Sequence, residues 1–181
     1  MILALYEHPD GVETTGGNVA VYDLDRDAAS FGAASVRGRA LVWRLEDGAE
    51  AGSGAKLAVP VVLDSDVEWL LRCDRVDFPP GGIAYRHTHP GPGIRCLLFG
   101  SIRIESGGET HLYGPIEAWF ESGPEPVLAF ASEDEETAFV RVMLLPQEWE
   151  GKRTIRYVDP ADEAKPKLQR ATVFFDQPIS L

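Results

Sequence analysis

The sequence predicts an all-β fold, a single antiparallel barrel or sandwich. Two observations carry this. Short runs rich in β-branched and aromatic residues follow one another along the chain, and 18 Gly and 13 Pro are spread through 181 residues, so that punctuation falls roughly every eight to twelve residues. Long helices find no room in that rhythm. With 44% hydrophobic residues and a length ordinary for one domain, one core is expected for residues 1–181, its barrel over about 40–146 and an arm over 147–181.

The expected strands are 40–45, 57–63, 68–78, 95–105, 109–113, 117–120, 127–131 and 137–145, with extra strands on the N-terminal side. The turn Ser106-Gly107-Gly108 makes a hairpin of the runs on either side of it. Segment 22–37, acidic at first and then Ala-rich, reads as a short helix or a surface loop. The arm ends in the apolar run 171–175, a strand that docks on the barrel or on a second subunit in a homodimer. Four consecutive acids, Glu133 to Glu136, read as a solvated turn.

Charge narrows the partners. With 17 Lys+Arg against 29 Asp+Glu the net charge is −12, which repels phosphate backbones and anionic lipid. Nucleic acid and membrane are therefore excluded as expected partners, leaving a small-molecule ligand. Cys73 and Cys96 are too few for a disulfide framework and lack zinc-cluster spacing. The N-terminus lacks the basic start of a secretory signal, so a cytoplasmic location is expected.

The chemistry lies in Pro79-Pro80-Gly81-Gly82-Ile83-Ala84-Tyr85-Arg86-His87-Thr88-His89-Pro90. Alternate residues of a strand share a face, so Tyr85, His87 and His89 are expected to point together into the barrel. Two imidazoles on one strand can give two nitrogens to one metal ion, or can be core histidines bonded to backbone. His111 reads as an exposed residue of an acidic hairpin. Tyr85, Trp119 and Phe120 are candidates to line a pocket, or plain core. Neither a G-x-S-x-G elbow nor a phosphate-binding glycine loop before a helix is present in the sequence, and no organic cofactor is expected.

Gly81, five residues, His87-x-His89 and then Gly100 resemble the first signature of the cupin superfamily, G-x5-H-x-H-x3,4-E-x6-G. The likeness covers about residues 68–145 and implies an RmlC-like jelly-roll barrel with a metal ion, Fe, Mn, Ni or Zn, held by His87 and His89. The chain departs from the pattern at the glutamate, where Gly93 or Ile94 stands. It departs again at the third histidine, where laying the second signature on Gly114 brings Glu125, and a one-residue shift brings Pro126. Glu125 is therefore the candidate third metal ligand.

Alternation from Gly93 brings Arg95 into the space the missing glutamate would line, where a guanidinium clamps a carboxylate bidentately. The other reading sets Arg95 outside, paired with surface acids, and the outer face is the expectation for Arg103 and Arg141. Two functions are carried forward. One is a small metalloenzyme acting on a small, anionic organic molecule, with dioxygenase chemistry the first implication of the resemblance. The other is a metal-free barrel serving as a binding or regulatory module, which the missing ligands favour.

Overall fold

The computed structural model describes residues 1–48 and 50–181. Among these, fifteen strands form three antiparallel five-stranded sheets. The first is built from β1 (Ile2–His8), β2 (Val12–Asp23), β3 (Ala28–Val36), β4 (Ala40–Glu46) and β5 (Leu57–Pro60), in the order β3-β2-β4-β1-β5. Segment 22–37 is thus mainly hairpin, correcting the expected helix or loop. Its second strand is Ala-, Ser- and Gly-rich with many half-exposed positions, so it carries little apolar alternation to read. Strands β4 and β5, expected in the barrel, belong to this N-terminal sheet.

The barrel begins at β6 (Trp69–Phe78) and continues through β7 (Ile83–Thr88), β8 (Gly93–Phe99), β9 (Ile102–Ser106), β10 (Glu109–Tyr113), β11 (Ala118–Glu121), β12 (Val127–Ala131) and β13 (Thr137–Pro146). One sheet has the order β11-β8-β13-β6 and the facing one β10-β9-β12-β7. The chain crosses between them at every connection except the β9–β10 hairpin. Eight strands so wound are a jelly roll, the architecture that the histidine motif implied.

The expected single run 95–105 is two strands in different sheets. Gly100 divides them with φ +77°, and a Cβ there would lie 2.5 Å from the Glu136 carbonyl oxygen. Alternation alone does not distinguish a strand that continues from one that changes sheet. The C-terminal segment adds β14 (Arg156–Tyr157) beside β7 and β15 (Arg170–Pro178) beside β6, so the arm docks on its own barrel. Phe174 and Phe175 of β15 meet Tyr22 and Phe31 edge-on at 5.7 and 5.9 Å, tying the arm to the N-terminal sheet as well. No helix among the described residues is long and apolar enough to cross a membrane.

The β11-β8-β13-β6-β15 sheet is covered on both faces. Leu3, Leu5, Leu41 and Trp43 of the N-terminal sheet pack on its outer residues Leu71, Cys73, Ile94, Cys96, Val140 and Val142. The Trp43 indole N–H donates to the Ile94 carbonyl at 3.2 Å across this layer. Double coverage explains why every residue from Thr137 to Leu145 is buried, where a strand with one wet face would alternate. The inner face is apolar at one end, with Val76, Phe78, Leu97 and Phe139, and charged in the middle.

Backbones approach closely at Gly93, where a Cβ would fall 2.5 Å from the Val142 carbonyl oxygen and 3.0 Å from the Met143 Cα. Gly93→Ala is expected to cost about 1–3 kcal/mol through overpacking. Urea denaturation measures this, and an unchanged midpoint would show that the sheet yields at this point.

Candidate functional site

His87 and His89 stand on β7 and just beyond it, both buried. Val127 of β12 faces His87 while Ala129 faces Ala84, so three steps along β7 answer two along β12. This bulge shifts the inward set to Ala84, His87 and His89. Tyr85, expected beside the histidines, is turned away and lies with its ring centroid 4.6 Å from Lys165 Nζ. Period-two alternation misplaces it because it assumes an unbroken ladder. The His89 backbone N–H donates to Gly123 at 2.7 Å, which fixes the strand end against the loop after β11.

The imidazoles meet edge to face, with Nε2 to Nε2 at 3.2 Å. His87 Nδ1 is 2.7 Å from the Tyr85 carbonyl, which can only accept, so Nδ1 carries the proton and His87 Nε2 is a bare lone pair. Arg141 Nη1 approaches His89 Nε2 at 3.4 Å, and a guanidinium can only donate. His89 Nδ1 is buried without a hydrogen-bond partner among the described residues. Burial is the main reason both histidines are held below their ordinary pKa, and the Arg141 and Arg95 charges push His89 well below it. Both are neutral at pH 7.

Two buried ion pairs flank the histidines. Arg141, expected on the outer face, points inward from β13 and clamps Asp74 of β6 with Nε to Oδ1 at 2.6 Å and Nη2 to Oδ2 at 3.2 Å. Arg95 of β8 is fully buried, its Nη2 2.7 Å from Glu121 Oε2 and its Nη1 donating to the Gly93 carbonyl at 2.6 Å. Burial lowers its pKa to about 10, which leaves it charged at neutral pH. Trp119 donates to the other Glu121 oxygen at 2.9 Å and otherwise packs as core between Tyr113 and Phe139. Phe120 faces the N-terminal sheet.

Glu125, the candidate third ligand, is exposed in the turn before β12, whereas the acid beside the histidines is Glu121 at the end of β11. Glu121 was readable from the alternation Trp119 to Glu121. Asp74, too, lies at alternate spacing with Val76 and Phe78, beside Arg72, on the inward face of β6. His111 is exposed on β10 beside Glu109, and Arg103 sits outside over the Phe130 ring, both as expected. Gly93, where the family glutamate falls, has no space for any side chain.

The fit to a divalent ion is partial. His87 and His89 offer two convergent nitrogens at a separation compatible with neighbouring ligands of one ion. The rest of the shell is not there. Glu121 Oε2 is 3.6 Å from His89 Nε2 but committed to Arg95, both Asp74 oxygens are held by Arg141, and the Arg141 guanidinium occupies the approach to His89. Among the described residues no group of three His, Cys, Asp or Glu is placed to hold an ion. Arg95, Arg141, Asp74 and Glu121 already sum to zero, so a dication would be an uncompensated buried charge. These residues do not make a metal centre.

A cavity of about 60 Å³ lies against His87, His89, Glu121 and Arg141. It shares Arg141, Ile155, Gln169 and Ala171 with a cleft of about 550 Å³ outside it. Arg72, Arg141, Lys152, Arg153 and Lys167 face that cleft, against the carboxylates of Asp74 and Glu163, and Arg72 is clamped by Asp176 behind it at 2.5 and 2.6 Å. The C-terminal segment forms its outer wall. Sequence reasoning treated that segment as an arm and so missed Arg153, Lys167 and Gln169.

No family model matches the chain, and no curated protein does. Solved structures similar to it include an RmlC-like cupin from Shewanella frigidimarina, at 14% identity over 43% of this chain and 68% of that one, TM-score 0.39. A polyketide cyclase from Streptomyces resistomycificus is 22% identical over 51% of this chain and 62% of its own, TM-score 0.40. A cupin-like protein from Thermotoga maritima is 16% identical over 67% and 98%, TM-score 0.39. The jelly-roll assignment stands on the strand order.

Asp74→Ala strands a buried guanidinium and is expected to cost about 3–5 kcal/mol, with most of it recovered in Asp74→Leu combined with Arg141→Met. Urea denaturation of both variants decides; equal losses in the two would contradict the pairing. The histidines add a pH dependence. The unfolded imidazoles titrate near the ordinary 6.5 while the folded pair, held lower, refuses the proton. Stability is therefore full above about pH 6.5 and falls below it, by at most about 1.4 kcal/mol per pH unit per histidine. His89→Gln should remove at least half of the pair's contribution to the slope between pH 6.5 and 5, since His89 is held the further below its ordinary pKa, and an unaltered slope would mean that His89 is not held neutral.

Proposed function

We propose that the barrel is a metal-free binding module for a small organic anion, held in the cleft above the histidine pair. The observation that carries this is the gathering of Arg141, Lys152, Arg153 and Lys167 around one cleft in a chain of net charge −12, with the fifth cation there, Arg72, neutralised by Asp176. At about 550 Å³ the cleft has the size of a small-molecule site. Arg141 is half spent on Asp74 and presents its remaining N–H edge toward the histidines and the shared opening. Arg153 and Lys167 share one carboxylate, Glu163, at 2.9 and 3.6 Å, leaving net positive charge at the rim. A ligand carboxylate gains charge-assisted hydrogen bonds from these groups.

The metalloenzyme reading is supported by the 3.2 Å separation of the two Nε2 atoms and opposed by the guanidinium beside one of them. Metal analysis of protein purified without chelator separates the two. Well under one ion per chain, together with succinate binding by calorimetry that is indifferent to EDTA, is the expected result. One equivalent of Fe, Mn, Ni or Zn whose removal abolishes binding would overturn it. Arg153→Ser with Lys167→Ser is expected to weaken succinate about tenfold, roughly 1.4 kcal/mol, and an unchanged affinity would move the anion away from this cleft.

A further inference from the structure

The small cavity beneath the cleft is lined mostly by apolar side chains, and its polar groups are His87, His89, Glu121, Arg141 and Gln169; of the acceptors facing it, Gln169 Oε1 has no hydrogen-bond partner among the described residues. His87 Nε2 is a bare lone pair, because its Nδ1 proton is committed to the Tyr85 carbonyl. Its neighbour at 3.2 Å, His89 Nε2, faces the Arg141 N–H and so presents a lone pair of its own. Two lone pairs at that distance repel unless a hydrogen lies between or beside them. At the cavity's opening the Gln169 Oε1 is buried without a hydrogen bond, and Gln169 lines both the cavity and the cleft. An unmet buried acceptor costs about 1–3 kcal/mol, so a ligand that brings a donor recovers that energy.

Size restricts what the donor can be. About 60 Å³ is far below the volumes of about 300 Å³ and more that hold whole ligands, yet it admits a single functional group. A carboxylate is a poor fit, since it would carry a charge into a mostly apolar cavity and brings no donor for His87 Nε2 or Gln169 Oε1. An ammonium would meet the acceptors but would stand as a charge beside Arg141. A hydroxyl satisfies both conditions.

Resting on the anion-binding reading above, we propose that the ligand is a hydroxylated carboxylic acid. Its carboxylate lies among Arg141, Arg153 and Lys167, and its hydroxyl enters the cavity to donate toward His87 Nε2, with Gln169 as the specificity-determining residue at the opening. The step is binding alone, and no bond is made or broken.

The test uses the whole chain and two matched pairs of probes, malate against succinate and 3-hydroxybutyrate against butyrate, titrated by calorimetry. A site built around a hydroxyl discriminates strongly against the analogue that lacks it, so in at least one pair the hydroxy acid is expected to bind tenfold or more tightly. Gln169→Leu, at the half-exposed mouth, and His87→Ala should each bring the affinity ratio of hydroxy acid to deoxy acid close to one. Equal affinities within both pairs in the wild-type protein would overturn this inference and leave the anion-binding reading in place. So would a preference that survives both substitutions. Failure of all four acids to bind would overturn both.

Discussion

Arg95 and Arg141 are buried inside the barrel, and the site around them is arranged to hold two guanidinium charges out of water. A buried charge is tolerated only when paired and hydrogen-bonded, so Asp74 and Glu121 stand opposite them on neighbouring strands, and the Gly93 carbonyl takes one further donor. The pairs lie on the one sheet that is covered on both faces. The N-terminal sheet seals its outer surface and the facing barrel sheet its inner one, which leaves the charges no route to solvent except the mouth. That is why removing one partner is costly and why the mouth, rather than the wall, is where a ligand meets them.

The same arginines set the state of the histidines. Burial alone disfavours the imidazolium, and two neighbouring positive charges disfavour it further at His89. A neutral histidine is a metal ligand in many proteins, but here the guanidinium that helps keep His89 neutral also stands where the ion would. The arginine side chains thus fill, electrostatically, the role a cation has in a metal centre. Gly93 completes the exchange: the β8–β13 backbones approach so closely there that no carboxylate side chain can be housed, and Arg95, two residues on, reaches back to the Gly93 carbonyl.

Much of this was legible in the sequence. Most strands from Trp69 to Pro146 and the inward histidine pair follow from alternation and turn chemistry, and Arg95 was a candidate for the interior, whereas the change of sheet at Gly100 was read as one continuous run. What was hidden depends on contacts between distant elements. The bulge opposite Val127 turns Tyr85 outward, and no local signal in Ala84-Tyr85-Arg86 announces it. Arg141 reads as an outer residue because β13 is apolar on both sides of it, and only the N-terminal sheet, packed on the opposite face, reverses that. Glu121 and Glu125 are four residues apart, one closing a strand and the other on an exposed turn, and a motif laid on the chain without its strand boundaries selects the wrong one. The wall of the cleft comes from a segment whose composition resembles a loose arm.

The central claim is that buried guanidinium groups, in place of a metal ion, hold His87 and His89 as neutral acceptors. Nitrogen-15 NMR of the histidine rings tests it most directly, by recording tautomer and charge at each nitrogen across pH and upon addition of Zn²⁺. The account predicts His87 protonated at Nδ1 with a bare Nε2, both rings neutral at pH 7, and Nε2 signals unmoved by one equivalent of Zn²⁺. A charged ring at that pH, a proton on His87 Nε2, or stoichiometric displacement of the Nε2 signals by zinc would contradict it.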